Sequence, residues 1–208
     1  MRIKSSLLLS ICVAIFMVAV GCASPGQKYL KQGDDYAAQG LWEDAISRYT
    51  EAINADPDMA LVYYHRGNAF SQLGKFDSAT ADYNKAISLD LQLAGVYNGR
   101  GYASTMKGEF DAAIADYDKA IELDPKLTIA YENKGLTYHT KGEFDKAIAE
   151  FSKAIELDPK LARAYFYRAY SYHLEGNSEK AAADLNKCIK VSTDPKLTES
   201  AKQLLERL

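Results

Sequence analysis

The chain has 208 residues, 48% of them hydrophobic and 11% aromatic, with 25 Lys and Arg set against 28 Asp and Glu for a net charge of −3. It is long enough to bury a sizeable core, and its acidic balance argues against a nucleic-acid partner, which calls for a basic face. Three cysteines, at 12, 22 and 188, exclude a disulfide-rich fold.

The first residues read MRIKSSLLLSICVAIFMVAVGCAS. Arg2 and Lys4 precede an apolar run from Leu7 to Val20 that ends in small residues. This is the pattern of a secretory signal peptide over residues 1–21, too short for a convincing transmembrane helix. Ala19-Val20-Gly21-Cys22 resembles a bacterial lipobox. The resemblance implies cleavage before Cys22, lipidation of that residue and stable attachment to a membrane through several acyl chains. An uncleaved anchor is the alternative. Ala23, following the lipidated cysteine, resembles the arrangement that permits transfer to the outer membrane, so the periplasmic face of that membrane is expected in a Gram-negative host.

Loss of residues 1–21 removes two positive charges and takes the net charge from −3 to −5. Cys12 lies in the signal and Cys22 is the lipid acceptor, which leaves Cys188 with no disulfide partner, expected as buried filler. Residues 22–25 form a very short tether, with a reach of ~10 Å beyond Cys22. The folded part is therefore expected close to its membrane.

From Gly26 the chain repeats without a gap every 34 residues: 26–59, 60–93, 94–127, 128–161 and 162–195. Five copies at one period predict a solenoid. With positions counted from the first residue of each copy, position 4 is always Tyr (Tyr29, Tyr63, Tyr97, Tyr131, Tyr165). Position 8 is Gly or Ala, and position 11 is aromatic except at Ser104. This is one face of a first helix. Gly40, Gly74, Gly108, Gly142 and Gly176 at position 15 are helix stops. A second helix follows, with an aromatic at 17 except at Ser178, Ala at 20, Tyr, Phe or Leu at 24, and Ala or Cys188 at 27. Asp-Pro closes four copies, and Leu91 takes the place of the Pro in the second. Ser104 and Ser178 are expected to loosen packing locally.

After Pro195, Leu197, Ala201, Leu204, Leu205 and Leu208 share one helix face, while Lys196, Glu199, Lys202 and Glu206 lie off it. Residues 196–208 are predicted to be a capping helix, because the last repeat needs cover, with a docking helix for a partner as the alternative.

These residues closely resemble the tetratricopeptide repeat, a 34-residue helix-turn-helix. The resemblance covers Gly26 to Pro195 and implies an all-α solenoid of five such repeats plus the C-terminal capping helix. In that family, small residues at 8, 20 and 27 mark the closest helix approaches.

Position 7 reads Gln32, Arg66, Arg100, Lys134, Arg168, and position 23 reads Arg48, Asp82, Asp116, Glu150, Asp184. Wherever position 7 is basic, position 23 is acidic, which predicts ion pairs between the two helices of a repeat or between neighbouring repeats. Two independently solvated faces are the alternative.

The family lines its concave groove with positions 2, 5, 6, 9, 12 and 13. On this chain the resemblance places Tyr64, Asn68, Asn98, Tyr102, Met106, Glu132, Asn133, His139, Arg163, Phe166, Tyr167, Tyr170 and His173 there. Aromatic, amide and basic groups suit an extended or helical peptide. The family's carboxylate clamp, Lys at 5 with Asn at 9, is missing because no copy has Lys at position 5.

His139 and His173 share position 12 in adjacent copies, with Glu132 and Glu175 not far away. Neighbouring helix axes lie ~8–10 Å apart, however, and a metal needs nitrogens ~2 Å from one ion. No metal, cofactor or catalytic residue is expected, and nothing resembles a nucleophile–base pair.

The reading is a non-enzymatic scaffold or adaptor lipoprotein of the bacterial envelope that holds a peptide or helix of an envelope protein. Neither a nucleic-acid nor a small-molecule partner is expected. Pilotin-type factors for secretin and pilus assembly and adaptors of cell-wall hydrolases are similar lipoproteins. A structural, self-associating envelope protein is the second class, and a metal-binding protein or enzyme the third.

Overall fold

The computed structural model describes residues 24–208. The expected signal peptide, the lipobox-like stretch and Cys22 lie outside the described residues. Eleven α-helices follow one another among the described residues, with no strand. They are α1 (Pro25–Ala38), α2 (Trp42–Ala55), α3 (Ala60–Gln72), α4 (Phe76–Ser88), α5 (Ala94–Met106), α6 (Phe110–Leu123), α7 (Thr128–Lys141), α8 (Phe144–Leu157), α9 (Ala162–Leu174), α10 (Ser178–Val191) and α11 (Pro195–Leu205). Each odd-numbered helix up to α9 packs on the even one that follows it, and each even one on the next odd one. The result is the predicted all-α solenoid of five helical hairpins, with α11 resting on α10 and α9. Among the described residues no helix is long and apolar enough to cross a membrane.

The sequence begins the first helix by a reciprocal cap. The Ser24 hydroxyl accepts from the Gln27 backbone N–H, and the Gln27 side chain accepts from the Ser24 N–H. Of the residues counted with the tether in the sequence, Pro25 is thus the first of α1 and Ser24 its cap. Inside each repeat the turn is made by the position-15 glycine, whose φ lies between 69° and 81° in all five copies, a conformation open to Gly at little cost. Between repeats, Asp56, Asp124 and Asp158 are extended before their prolines, and each carboxylate accepts from the backbone N–H two residues on. The second copy lacks the proline and turns differently. Asp90 takes a left-handed φ of 64°, and the Leu91 N–H donates to the Ala86 carbonyl.

The core is a column of small residues and rings. Ala45, Ala79, Ala113, Ala147 and Ala181 at position 20 have no exposed surface, nor do Ala52, Ala86, Ala120, Ala154 and Cys188 at position 27. Tyr49, Tyr83, Tyr117, Phe151 and Leu185 at position 24 fill the space between them. Position 3 also enters the core. Val62, Val96, Ala130 and Ala164 are fully buried, Val62 against Ala45 and Ala52 of the preceding repeat. Among the described residues no repeat precedes the first copy, and there positions 3 and 10 are the exposed Lys28 and Asp35. Such a polar outer face finishes a solenoid end. At the other end Leu197, Leu204, Leu205 and Leu208 pack on the cluster of Leu185, Cys188 and Ala201, as the capping-helix reading predicts.

The charge pairs form within each of the last four repeats. Arg66 grips Asp82 through Nε and Nη2 at 2.7 and 2.8 Å, and Arg100–Asp116 and Arg168–Asp184 repeat the two-pronged geometry. Lys134 meets Glu150 at 2.7 Å. Each base also reaches position 25 of the preceding repeat: Thr50, Asn84, Asp118 and Ser152. Position 7 therefore ties the second helices of adjacent repeats together, in addition to the pairing within each repeat.

Candidate functional site

The first helices of the hairpins carry the candidate groove, and apolar exposure is concentrated on them. Eight large hydrophobic side chains are exposed among the described residues. Six of these, Leu61, Tyr102, Met106, Ile129, Tyr170 and Leu174, sit at positions 2, 9 and 13 of α3, α5, α7 and α9. Soluble surfaces scatter such residues singly, so their gathering on one face needs a reason.

The N-terminal half of the face is a cleft of about 510 Å³. It gathers Asn68, Asn98, Tyr102 and Asn133 of the predicted set, and with them Asp34, Trp42, Tyr49, His65 and Gln72. Its polar groups are oriented from beneath. The Tyr83 hydroxyl donates to Asn68 Oδ1 at 2.8 Å, and Asn133 Nδ2 donates to Asn98 Oδ1 at 3.1 Å. Both contacts use the amide oxygen, so the amide nitrogens of Asn68 and Asn98 are left as donors for an occupant. Tyr49 donates to Asp34 Oδ1 at 2.8 Å, and His65 Nδ1 lies 2.8 Å from the same oxygen. Burial, reinforced by Asp34, pushes the Tyr49 phenol up, and burial pushes Tyr83 up and Tyr117 to about 12, so all three stay protonated near neutral pH. Tyr64 is half-buried, set edge-on to His65 and tilted against Tyr83.

The C-terminal half is aromatic. Phe166, Tyr170 and His173 line a smaller hollow of about 270 Å³, closed by Ser200, Gln203, Leu204 and Arg207 of the capping region. Tyr167 stacks on Phe151 with ring centres 6.1 Å apart. His139 Nδ1 is 2.9 Å from the Ser171 hydroxyl, and burial lowers its pKa, which keeps the imidazole neutral. The Tyr170 ring lies between the two histidines, 5.1 Å from His139 and 6.5 Å from His173. Among the described residues no group of three or more His, Cys, Asp or Glu is placed to hold a metal.

Two of the predicted residues differ from a simple groove contact. Glu132 is 2% exposed, sealed beneath the surface on which it was expected. Arg163, half-exposed, lies over it with Nε 3.0 Å from Oε1. Conversely, Asp34, His65, Trp42 and the position-24 hydroxyls enter the cleft without having been singled out. Asp34 and His65 occupy positions 9 and 6, where the groove pattern itself would have found them. Trp42, Tyr49 and Tyr83 are core positions by pattern, and they line the cleft as well.

Profiles described as TPR repeat match residues 33–74, 105–142 and 137–176, and profiles described as tetratricopeptide repeat match 60–92 and 162–195. Comparison with curated proteins gives no significant match. Among solved structures, a crystal structure of MamA protein is 29% identical with a TM-score of 0.71, over 80% of this chain and 91% of that one. A second MamA structure is 30% identical with a TM-score of 0.70, over 76% and 92%. YrrB, described as a TPR protein with an unusual peptide-binding site, shares the fold at 24% identity and a TM-score of 0.67, over 84% and 90%.

Proposed function

This chain belongs to the tetratricopeptide repeat family, and from that premise we propose that it is a scaffold whose concave face holds a peptide or helix of a protein partner. The observation that carries this reading is the gathering of exposed apolar side chains on the first helices, beside amide donors held ready by Tyr83 and Asn133. Rings at Tyr102, Phe166 and Tyr170 offer contact area at low entropy cost, and the Asn68 and Asn98 amides can satisfy an occupant's backbone. Self-association through the solenoid ends is less well supported, because Lys28 and Asp35 make one end polar and α11 covers the other.

We further propose that the scaffold works from a membrane, as an exported lipoprotein anchored through Cys22, with an envelope protein as partner. Arg2, Lys4, the apolar run and the Ala19–Cys22 stretch support this reading. With Ser24 already capping α1, only Ala23 separates the lipidated residue from the first helix, which favours a partner held next to the bilayer.

The test is a crosslinking pulldown from envelope membranes, comparing the native chain with the triple variant Asn98→Ala, Tyr102→Ala, Phe166→Ala. One envelope protein captured by the native chain and lost with the variant is the expected result. An identical set from both would place the interaction elsewhere. For the anchor, Cys22→Ser should abolish incorporation of labelled palmitate and release the protein from the membrane fraction. Unchanged labelling would end the lipoprotein reading.

A further inference from the structure

Glu132 stands at position 5 of α7, and its equivalents Asn98 and Phe166 both line hollows of the concave face. It is nonetheless almost wholly buried, and its Oε1 is the one buried side-chain polar atom without a hydrogen bond among the described residues. Arg163 Nε is 3.0 Å away, but its N–H is not directed at the oxygen.

The contrast with the rest of the chain is informative. Asp82, Asp116 and Asp184, buried but less deeply, are each gripped by an arginine through two aligned hydrogen bonds. Glu132 has one misaligned neighbour whose own side chain is 53% exposed. Arg163 is also the only base at position 2, where the other copies have Gln27, Leu61, Gly95 and Ile129. A buried carboxylate with an incomplete shell is costly, and a well-placed cation recovers that cost.

One turn along α9 from Arg163, Phe166 and Tyr167 meet edge to face with centres 5.3 Å apart. Such rings attract cations over their faces. We propose that Glu132 is a recognition point for a cationic side chain, Lys or Arg, of the segment bound in the groove, with Arg163 holding the place until that segment arrives and then swinging into solvent. The partner segment is therefore apolar along most of its contact and carries one base opposite the junction of α7 and α9.

This inference rests on the groove reading, and its test separates the two. The full-length chain, immobilised in detergent, is used to select from a random 16-residue peptide library. The selected peptides should carry a base at a fixed offset from their apolar residues. Replacing that base by citrulline or norleucine should weaken binding to the native chain at least tenfold and leave binding to Glu132→Gln unchanged. The variant's helicity by circular dichroism confirms that it is folded, and the citrulline comparison on the native chain needs no variant. Peptides that lose affinity with Asn98→Ala and Tyr102→Ala but tolerate citrulline overturn the cation site and leave the groove reading standing. Peptides indifferent to both groove substitutions, or selection of none, overturn the groove reading and this inference with it.

Discussion

Gly135 lies directly against the Phe151 ring: a Cβ on the glycine would sit 2.8 Å from Cε1, closer than carbon atoms approach. The same relation joins Gly67 to Tyr83 and Gly101 to Tyr117. In the fifth repeat the ring becomes Leu185 and the glycine becomes Ala169, both fully buried. Position 8 therefore carries a methyl group where position 24 gives up its ring. Gly135→Ala should cost about 1–3 kcal/mol by overpacking. In a Phe151→Leu background the same change should be close to neutral, as Ala169 is. A double-mutant cycle from urea unfolding checks the coupling; additive costs would mean that the cost of Gly135→Ala does not come from the Phe151 ring.

Much of this was legible from the repeat. The period set the hairpins, position 15 set the turns, and matched signs at 7 and 23 announced the ion pairs. The Gly–ring coupling was also in view, since Ala169 and Leu185 depart together. What stayed hidden depended on neighbours in the next copy over. Thr50, Asn84 and Ser152 read as ordinary solvated positions until the arginine of the following repeat is seen to reach them. Glu132 looked like a groove acid, and its burial beside Arg163, 31 residues later, emerges only when α7 and α9 are seen together.

The ladder predicts unequal charges. Arg100→Met strands Asp116, an almost fully buried carboxylate, and also loses the bond to Asn84. A loss of about 2 kcal/mol is expected, below the 3–5 kcal/mol of a fully buried pair because Arg100 is partly exposed. Lys119→Met, which breaks the exposed pair with Glu122, should cost under ~0.5 kcal/mol. Urea midpoints of the two variants decide; equal effects would reduce the ladder to surface charge.

Lys134 shows what replaces an arginine in this position. It touches two carboxylates, Glu150 and Asp118, where each arginine has one carboxylate and a neutral group at position 25. Arg100→Lys alone should therefore destabilise, since an ammonium cannot make the two-pronged bond. Adding Asn84→Asp and Asp116→Glu should restore a good part of the loss. Thermal unfolding of the single and triple variants measures the rescue.

Asp90 carries the turn that lacks a proline, at a φ of 64°. Side chains other than Gly pay for that conformation, although Asp tolerates it better than most. Asp90→Gly is expected to be neutral to about 0.5–1 kcal/mol stabilising, and Asp90→Val to destabilise by more than ~1 kcal/mol. A valine variant as stable as the native chain would show that the turn has an alternative conformation of similar energy.

Burial holds the Glu132 carboxyl above its ordinary value of 4.5, and Arg163 offsets this only in part. Between 4.5 and the raised value the folded chain keeps a proton that the unfolded chain has released. Stability must fall as pH rises through that interval, and the deficit persists above it. Glu132→Gln removes the titrating group while keeping the shape. The difference in urea midpoint between variant and native chain should therefore grow in the variant's favour from pH 4.5 upward. A difference growing the other way would mean that the Arg163 pair outweighs desolvation.

Cys188 reports on the capping helix. Its thiol has no exposed surface, and burial pushes its pKa up to about 11, so almost no reactive thiolate exists near neutrality. The cover comes from α11, whose Ala201, Leu204 and Leu205 share its cluster. Ala201→Asp places a charge in a site with no room for it and should lift α11 while leaving the five hairpins stacked. Cys188 should then react with a maleimide at least tenfold faster, read by mass spectrometry to distinguish it from Cys12 and Cys22, with helicity nearly unchanged. An unchanged rate would mean that α9 and α10 shield the thiol without α11; a broad loss of helicity would make the cap part of the fold's cooperative core.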